Sequence, residues 1–220
     1  MSENQQHTLP AESSAPSQTL PTHPTDAQRP LLTDEQLAHL PAQHPLRAGT
    51  AASSPMLQAL TGRPSSYRPV WFMRQAGRSL PEYRRVREGI PMLEACLTPE
   101  LAAEITVQPV RRHKVDAGIF FSDIVIPMKL AGVNVDIVPG KGPVLDRPVR
   151  TLEDVRALPE LTESALDPIR EAIAATVEML GDTPLIGFAG APFTVAAYMV
   201  EGGPSRDHLR PRTMMHADPA

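Results

Sequence analysis

Two arginines that enclose a run of small residues form the first group suited to chemistry. They follow the apolar run 70–73 directly, and the alanine and glycine between them let backbone and ligand approach closely. Paired guanidinium groups suit a ligand that carries several carboxylates. The candidate substrate-binding residues of this segment are Arg74, Gln75, Ala76, Gly77 and Arg78.

Three more arginines stand beside acidic residues on the helix that is predicted after this loop. We interpret Arg84, Arg85 and Arg87 as solvated side chains that form surface ion pairs with Glu82 and Glu88.

A carboxylate and a phenol complete the candidates. Asp123 ends the apolar run 117–123, where a carboxylate is either a helix cap or a site residue, and its position alone leaves both open. Tyr198 follows a third apolar run and is either a core aromatic or a site residue.

Apolar periodicity predicts the elements that position these residues. Helices are predicted at 55–62, from Pro99 to about 116–118 and from Asp167 to Gly181. Thr98 is the expected N-cap of the second helix, and Pro109 should kink it. Strands are predicted at 70–73, 117–123 and 184–190, and a hairpin pairs 133–138 with 142–145.

Strands that alternate with helices predict an α/β fold with a parallel sheet. Polar residues follow the strand ends, and no glycine-rich dinucleotide fingerprint follows the first strand. Both features favour a barrel over an open sheet, because the carboxyl ends of barrel strands build the active site.

Composition separates the N-terminus from the rest of the chain. Residues 1–54 are rich in proline, serine and threonine and contain no aromatic residue, so we expect a disordered extension before a domain at 55–220. The histidines of this extension are interpreted as solvated rather than metal ligands.

Charge and composition argue against several classes of partner. A net charge of −4 gives no case for nucleic acid, and no run reaches the ~18 apolar residues of a membrane span. The single cysteine, Cys96, fits a reducing cytoplasm and a small buried residue. A plastid transit peptide is not excluded by inspection.

Taken together, the segments resemble one enzyme family. PVWFMRQAGRSLPEYR at 69–84 is similar to the first signature of the uroporphyrinogen decarboxylases, and GFAGAPFTVAAYMVEGG at 187–203 is similar to the second. FFSDIVIP and VDIVPGKGPV, which lie between them in the same order, also resemble that family. The departures are Ser79, where many members carry tyrosine, and Pro211, which could disrupt the last helix-like segment.

The resemblance implies a fold, an activity and a partner. The fold is a (β/α)8 TIM barrel, of which residues 55–220 would be the N-terminal part, and the full-length protein would be a homodimer. The activity is the removal of CO2 from the four acetate side chains of uroporphyrinogen III, which gives coproporphyrinogen III in haem biosynthesis without a metal or an organic cofactor. The expected partner is therefore a small-molecule tetrapyrrole.

The resemblance also implies roles by position. Arg74 and Arg78 match the family's substrate-binding arginines, Asp123 matches its catalytic aspartate, and Tyr198 matches its active-site tyrosine. No residue matches the family's late catalytic-site histidine, so we expect the 220-residue chain to be inactive by itself.

Two other functions are open. A corrinoid-linked methyltransferase would be a barrel relative of this family, but it needs a zinc–thiolate site, and Cys96 lies far from any predicted strand end. The non-enzyme alternative is a truncated product that binds a tetrapyrrole without turnover, or that has no function. A reading frame that continues past Ala220 would favour the enzyme.

Overall fold

Helices alternate with short strands in the computed structural model, which describes residues 38–39, 41–42, 51–60, 62–73 and 75–217. The helices, numbered in chain order, are α1 (Pro55–Leu60), α2 (Pro81–Val86), α3 (Met92–Leu97), α4 (Pro99–His113), α5 (Ile126–Leu130), α6 (Leu152–Arg156), α7 (Asp167–Leu180), α8 (Pro192–Glu201) and α9 (Leu209–Ala217). The strands are β1 (Gly118–Ile119), β2 (Val135–Val138), β3 (Gly142–Leu145) and β4 (Leu185–Ile186). Short 3-10 helices lie at Ala51–Ser53 and Ser164–Leu166.

The strands form one parallel and one antiparallel pair. β1 lies parallel to β4, with Gly118 opposite Leu185. β2 and β3 form an antiparallel hairpin, with Val138 opposite Gly142. The parallel pair joined through intervening helices confirms the predicted α/β class, and the predicted hairpin is confirmed as well.

The two longest helices of the described chain, α4 and α7, make the most extensive contact between elements and flank the β1–β4 pair. At Gly118 in β1, a Cβ atom would lie 3.2 Å from Leu180 Cδ1, so the glycine lets the end of α7 approach the strand closely. The core behind the strands is formed by Leu80, Tyr83, Leu93, Ala95, Cys96, Ala102, Ile105, Phe120, Phe121, Val125, Ile126, Met128, Val135, Leu145 and Ala172.

The observed strands are shorter than predicted. No strand forms at 70–73; Val70 accepts one backbone bond from Asp116 N at 2.8 Å, while Phe72 and Met73 are exposed. The predicted strand 117–123 is reduced to β1, which in the described structure pairs with β4 over two residues, while the N–H of Phe121 bonds to a helix side chain on the other edge. The predicted strand 184–190 is likewise reduced to β4.

Helix α4 begins at Pro99 as predicted but differs in detail. Thr98 does not cap it, since its hydroxyl donates to the carbonyl of Glu94 at 2.9 Å. The helix runs through Pro109 and ends at His113, because Lys114 adopts a left-handed conformation with φ of 56°. The prediction of an end near 116–118 was therefore a few residues too late.

Two further features lie near the ends of the described chain. Ala51 and Ser54, just before the predicted domain boundary, are buried, and a 3-10 helix begins at Ala51; the boundary between residues 54 and 55 stays a prediction. Pro211 does not disrupt its segment, because it lies in the first turn of α9, where proline is tolerated. The rest of the predicted extension lies outside the described residues, apart from 38–39 and 41–42.

Within the described ranges, no helix is both long and apolar enough to cross a membrane.

Candidate active site

A large, mostly apolar cavity opens at the carboxyl ends of β1 and β4. Its volume is about 1160 Å³. Ser122 and Asp123 reach it from the loop after β1, and residues 187–190 reach it from the loop after β4. Helix α7 supplies an apolar wall that includes Ile173 and Val177. The two loops that the sequence singled out therefore meet at one cavity, as expected for parallel strands.

Asp123 is not the N-cap of α5, which is Val125, but it lies in the turn that leads into that helix, and its role as a site residue stays a prediction. Its Oδ1 accepts the N–H of Val125 at 3.1 Å, and its carbonyl accepts the N–H of Ile126 at 3.1 Å, so the residue shapes the turn into α5. The half-buried side chain also lines the cavity. Among the described residues no donor bonds to Oδ2, which leaves that oxygen available to a ligand.

The loops after β1 and β4 touch each other at Gly190. A Cβ atom on this glycine would lie 3.1 Å from Ile124 Cβ and 2.7 Å from Val195 Cγ2. The contact with Val195 would force a shift, because contacts under 3.0 Å are essentially never seen for a real Cβ, and the contact with Ile124 would be tight. The absence of a side chain at Gly190 thus lets the second loop approach the residue that follows Asp123.

Gln75 lies in the predicted arginine segment, and its amide is engaged by the backbone. Its Nε2 donates to Ala117 O at 2.9 Å, and its Oε1 accepts the N–H of Ile119 at 3.2 Å. The side chain is buried and takes the place of a neighbouring strand along β1. Its assignment as a substrate-binding residue stays a prediction.

The structure describes the other residues of the segment 74–78 except Arg74, which lies outside the described residues. Arg78 is exposed and does not line the cavity. Ala76 is half-buried against the core. A Cβ on Gly77 would lie 2.4 Å from Leu80 Cδ1, so the small residue allows a tight turn into α2.

Tyr198 stands on α8, away from the cavity lining. Its half-buried ring packs against the core, and the described structure does not bring it into hydrogen-bond contact with Asp123. Both roles that the sequence allowed it, as a core aromatic and as a site residue, therefore stay open.

Arg87 was assigned to the surface, and the structure corrects this. Its Nη1 donates to Pro91 O at 3.1 Å, and its guanidinium carbon lies 5.9 Å from the centre of the Tyr83 ring. The Nε atom is buried and has no partner in the described structure. Only the spacing of four residues from Tyr83 on one helix face hints at this contact in the sequence. Arg84 and Arg85 are exposed, as predicted, but the Glu82 carboxylate lies 3.7 Å from Arg112 Nε rather than pairing with them.

The pKa of the Cys96 thiol is shifted by its burial and by two charged groups near the cavity. Burial raises the pKa of its thiol to about 12, the Asp123 carboxylate adds to the rise, and the Arg87 guanidinium opposes it. Asp123 and Arg87 therefore act on the same buried atom. A thiol with so high a pKa is a poor nucleophile and a poor metal ligand at neutral pH. In the described part of the chain, no three histidine, cysteine, aspartate or glutamate side chains converge as a metal site would require.

Sequence comparison places these features within one family. The model of the family "Uroporphyrinogen decarboxylase (URO-D)" matches residues 51–220. A uroporphyrinogen decarboxylase of Arthrobacter sp. (strain FB24) is 75% identical over 171 residues, which cover 78% of this chain and 50% of the relative. One of Saccharopolyspora erythraea is 61% identical over 169 residues, which cover 77% of this chain and 47% of the relative.

Structural comparison supports the fold alone. A methyltransferase from Methanosarcina mazei superposes with a TM-score of 0.52 at 24% identity, over 69% of this chain and 45% of that protein. The chain spans about half the length of the curated relatives it matches. Since the family model matches more than three quarters of its residues, the chain belongs to the uroporphyrinogen decarboxylase family.

Proposed function

We propose that this chain supplies part of the active site of a uroporphyrinogen decarboxylase. The reaction removes CO2 from the four acetate arms of uroporphyrinogen III and yields coproporphyrinogen III. The observation that carries the proposal is the 75% identity to the Arthrobacter sp. relative over a segment that includes Asp123 at the cavity wall.

The chemistry needs an electron sink, because a simple carbanion left by CO2 would be too unstable. A pyrrole ring serves when a proton adds to a ring carbon and makes the ring cationic. The bond between the acetate methylene and its carboxylate then breaks, CO2 leaves, and the electron pair passes into the ring. Protonation of the methylene carbon and loss of the ring proton leave a methyl group, so each CO2 consumes one proton overall.

Asp123 is suited to stabilise that cation. Its Oδ2, which receives no donor from the described residues, would accept pyrrole N–H groups, and its negative charge would oppose the developing positive charge. The Oδ1 bond to Val125 would hold the carboxylate in place while this happens.

The arginines and the tyrosine have proposed roles that are less direct. Arg74 and Arg78 would pair with substrate carboxylates and orient the arm that reacts. Tyr198 would support Asp123 or position that arm. Gln75 would act by fixing β1 through its two amide bonds, and Ala76 and Gly77 by keeping the loop compact.

The proposed architecture is a (β/α)8 barrel to which residues 51–220 contribute the segment described above. The β1–β4 pair, the helices beside it and the site at the carboxyl ends of these strands support it. The homodimer and the cytoplasmic location that the resemblance implies stay predictions.

The experiment is a chimera in which residues 51–220 of this chain replace the matched half of the Arthrobacter sp. enzyme. The chimera, supplied with uroporphyrinogen III in the presence of EDTA, should form coproporphyrinogen III and release four CO2 per product. A folded chimera that makes no product, or that needs an added metal, would contradict the proposal. The unmodified Arthrobacter sp. enzyme is the positive control.

A further inference from the structure

The buried hydroxyl of Thr106 joins α4 to the chain that leads to Asp123. Thr106 is only 2% exposed. Its hydroxyl donates to Ala102 O at 2.7 Å within the helix, and its oxygen accepts the N–H of Phe121 at 2.9 Å. Because the proton is committed to Ala102, the hydroxyl offers a lone pair to Phe121. The helix is therefore tied to the backbone two residues before Asp123.

This bond is made at the point where the chain leaves the sheet. The N–H of Phe120 donates to Ile186 O on β4 at 3.0 Å, and the N–H of Phe121, which points to the opposite edge, donates to the Thr106 oxygen. A buried N–H needs a partner, so this bond fixes the backbone of Phe121 against α4. The carboxylate that lines the cavity follows directly.

The side chain of Phe121 is held from another element. Its ring meets the ring of Tyr83 on α2 edge-to-face, with centroids 6.4 Å apart and an interplanar angle of 78°. Phe121 is thus fixed by its backbone against α4 and by its side chain against α2. Both contacts act on the residue two positions before Asp123.

We propose that Thr106 is a positioning residue for Asp123, which it places through the Phe121 N–H. Thr106 does not line the cavity, so it has no direct contact with a ligand there. The proposal rests on the proposed function for the task that Asp123 performs, but the hydrogen bond itself does not depend on that function.

Thr176 provides a matched control within the same chain. It is fully buried on α7, and its hydroxyl donates to Ala172 O at 2.6 Å in the same four-residue pattern. In the described structure its oxygen accepts no N–H from a site loop. Thr176→Val therefore removes a comparable helical bond and leaves the Asp123 turn untouched.

The test uses the chimera defined above with Thr106→Val, Thr106→Ser and Thr176→Val. Two quantities are measured: kcat and KM for uroporphyrinogen III, and the hydrogen-exchange rate of the Phe121 amide. Thr106→Val should lower kcat by roughly tenfold to a hundredfold with KM little changed, since small misplacements of a reacting group have effects of that size. Its Phe121 amide should exchange faster. Thr106→Ser should retain both properties, and Thr176→Val should match the parent in both.

Equal kcat values for Thr106→Val and Thr176→Val would overturn the proposal, and so would an unchanged exchange rate at Phe121 in Thr106→Val. If Thr106→Val does not fold, Thr106→Cys, which keeps the size and weakens the acceptor, takes its place; a parental kcat for it would overturn the proposal. A folded parent chimera without turnover would contradict the proposed function and, with it, the positioning role. The exchange rate at Phe121 would still decide whether the hydrogen bond exists.

Discussion

At the residue scale, one carboxylate oxygen of Asp123 holds a turn, and the proposed function uses the other. Oδ1 holds the turn by accepting from Val125, while Oδ2 faces no donor in the described structure. A substitution that keeps the hydrogen bond to Val125 and removes the negative charge tests the proposed chemical role without disturbing the turn. Asparagine does this, because its amide oxygen can still accept the Val125 N–H.

We therefore expect Asp123→Asn in the chimera to lower kcat by roughly a hundredfold or more, the usual result of removing an electrostatic partner of the transition state. Its thermal unfolding should stay close to that of the parent. Arg84→Ala, at an exposed position on α2, should change turnover little. Equal modest losses of activity in both variants would show that Asp123 does not have the proposed role.

Cys96 gives a pH-dependent prediction at the same scale. Burial raises the pKa of its thiol from 9.0 to about 12, so the folded state favours the neutral thiol. The stability that this contributes is fully present below pH 9.0 and is lost as the pH rises towards 12. Relative to Cys96→Ala, the parent should lose unfolding free energy as the pH rises from 9.0 towards 12. Below pH 9.0, iodoacetamide should not modify the thiol of the folded protein. Rapid alkylation of folded protein at neutral pH would refute this.

At the element scale, the site depends on two loops that approach without an intervening side chain. Gly190→Ala would place a methyl group against Val195 and Ile124, and overpacking of this kind typically destabilises by about 1–3 kcal/mol. Gly187→Ala is the control, because a Cβ there meets nothing within 4 Å, and such changes usually stay within about 0.5 kcal/mol. The free energies of unfolding of both variants, made in the chimera, are measured by denaturant unfolding and compared. A Gly190→Ala variant as stable as Gly187→Ala would mean that the loops are not packed as described.

Elements whose ends are marked by residues close by in the sequence could be predicted from the sequence. Helix α7 starts at Asp167 and ends before Gly181 as expected, because a proline in its first turn and a glycine after its end mark both limits. The hairpin was predicted for the same reason, since turn residues separate two short β-type runs.

The strands were overestimated because side chains take hydrogen bonds that strands would otherwise make. The Gln75 amide bonds to β1 where a neighbouring strand was expected, and the Thr106 hydroxyl takes the N–H of Phe121 on the same edge. Apolar periodicity reports which residues are buried and not which partners their N–H groups find. The cavity depends on the approach of separate loops, so the sequence could indicate its residues but not its shape.

At the scale of the whole molecule, removal of residues 1–37 should leave the activity of the family-length protein unchanged. These residues precede the segment that the family model matches, whereas Pro41 lines the cavity and should be kept. The steady-state kinetics of the shortened and unshortened proteins should agree. A large rise in KM after the deletion would show that the N-terminal residues contribute to substrate binding.

The 220-residue chain leaves apolar surface uncovered. In the described structure β4 pairs with β1 alone, and large side chains such as Ile173, Phe193 and Leu209 are exposed. Unpaired strand edges and apolar helix faces favour association of partly folded chains. The proposed barrel would need roughly 250 residues, so we expect Asp123 to reach the geometry of its proposed role only in a protein of family length.

The most direct test is decarboxylase turnover of the purified 220-residue chain beside that of the chimera, with uroporphyrinogen III and EDTA in both. We expect the chimera to form coproporphyrinogen III, while the chain alone forms none and shows no cooperative thermal transition. Turnover by the chain alone would contradict the proposal that the Asp123 site depends on further barrel strands. A cooperatively folded chimera without turnover would contradict the assignment of the site itself.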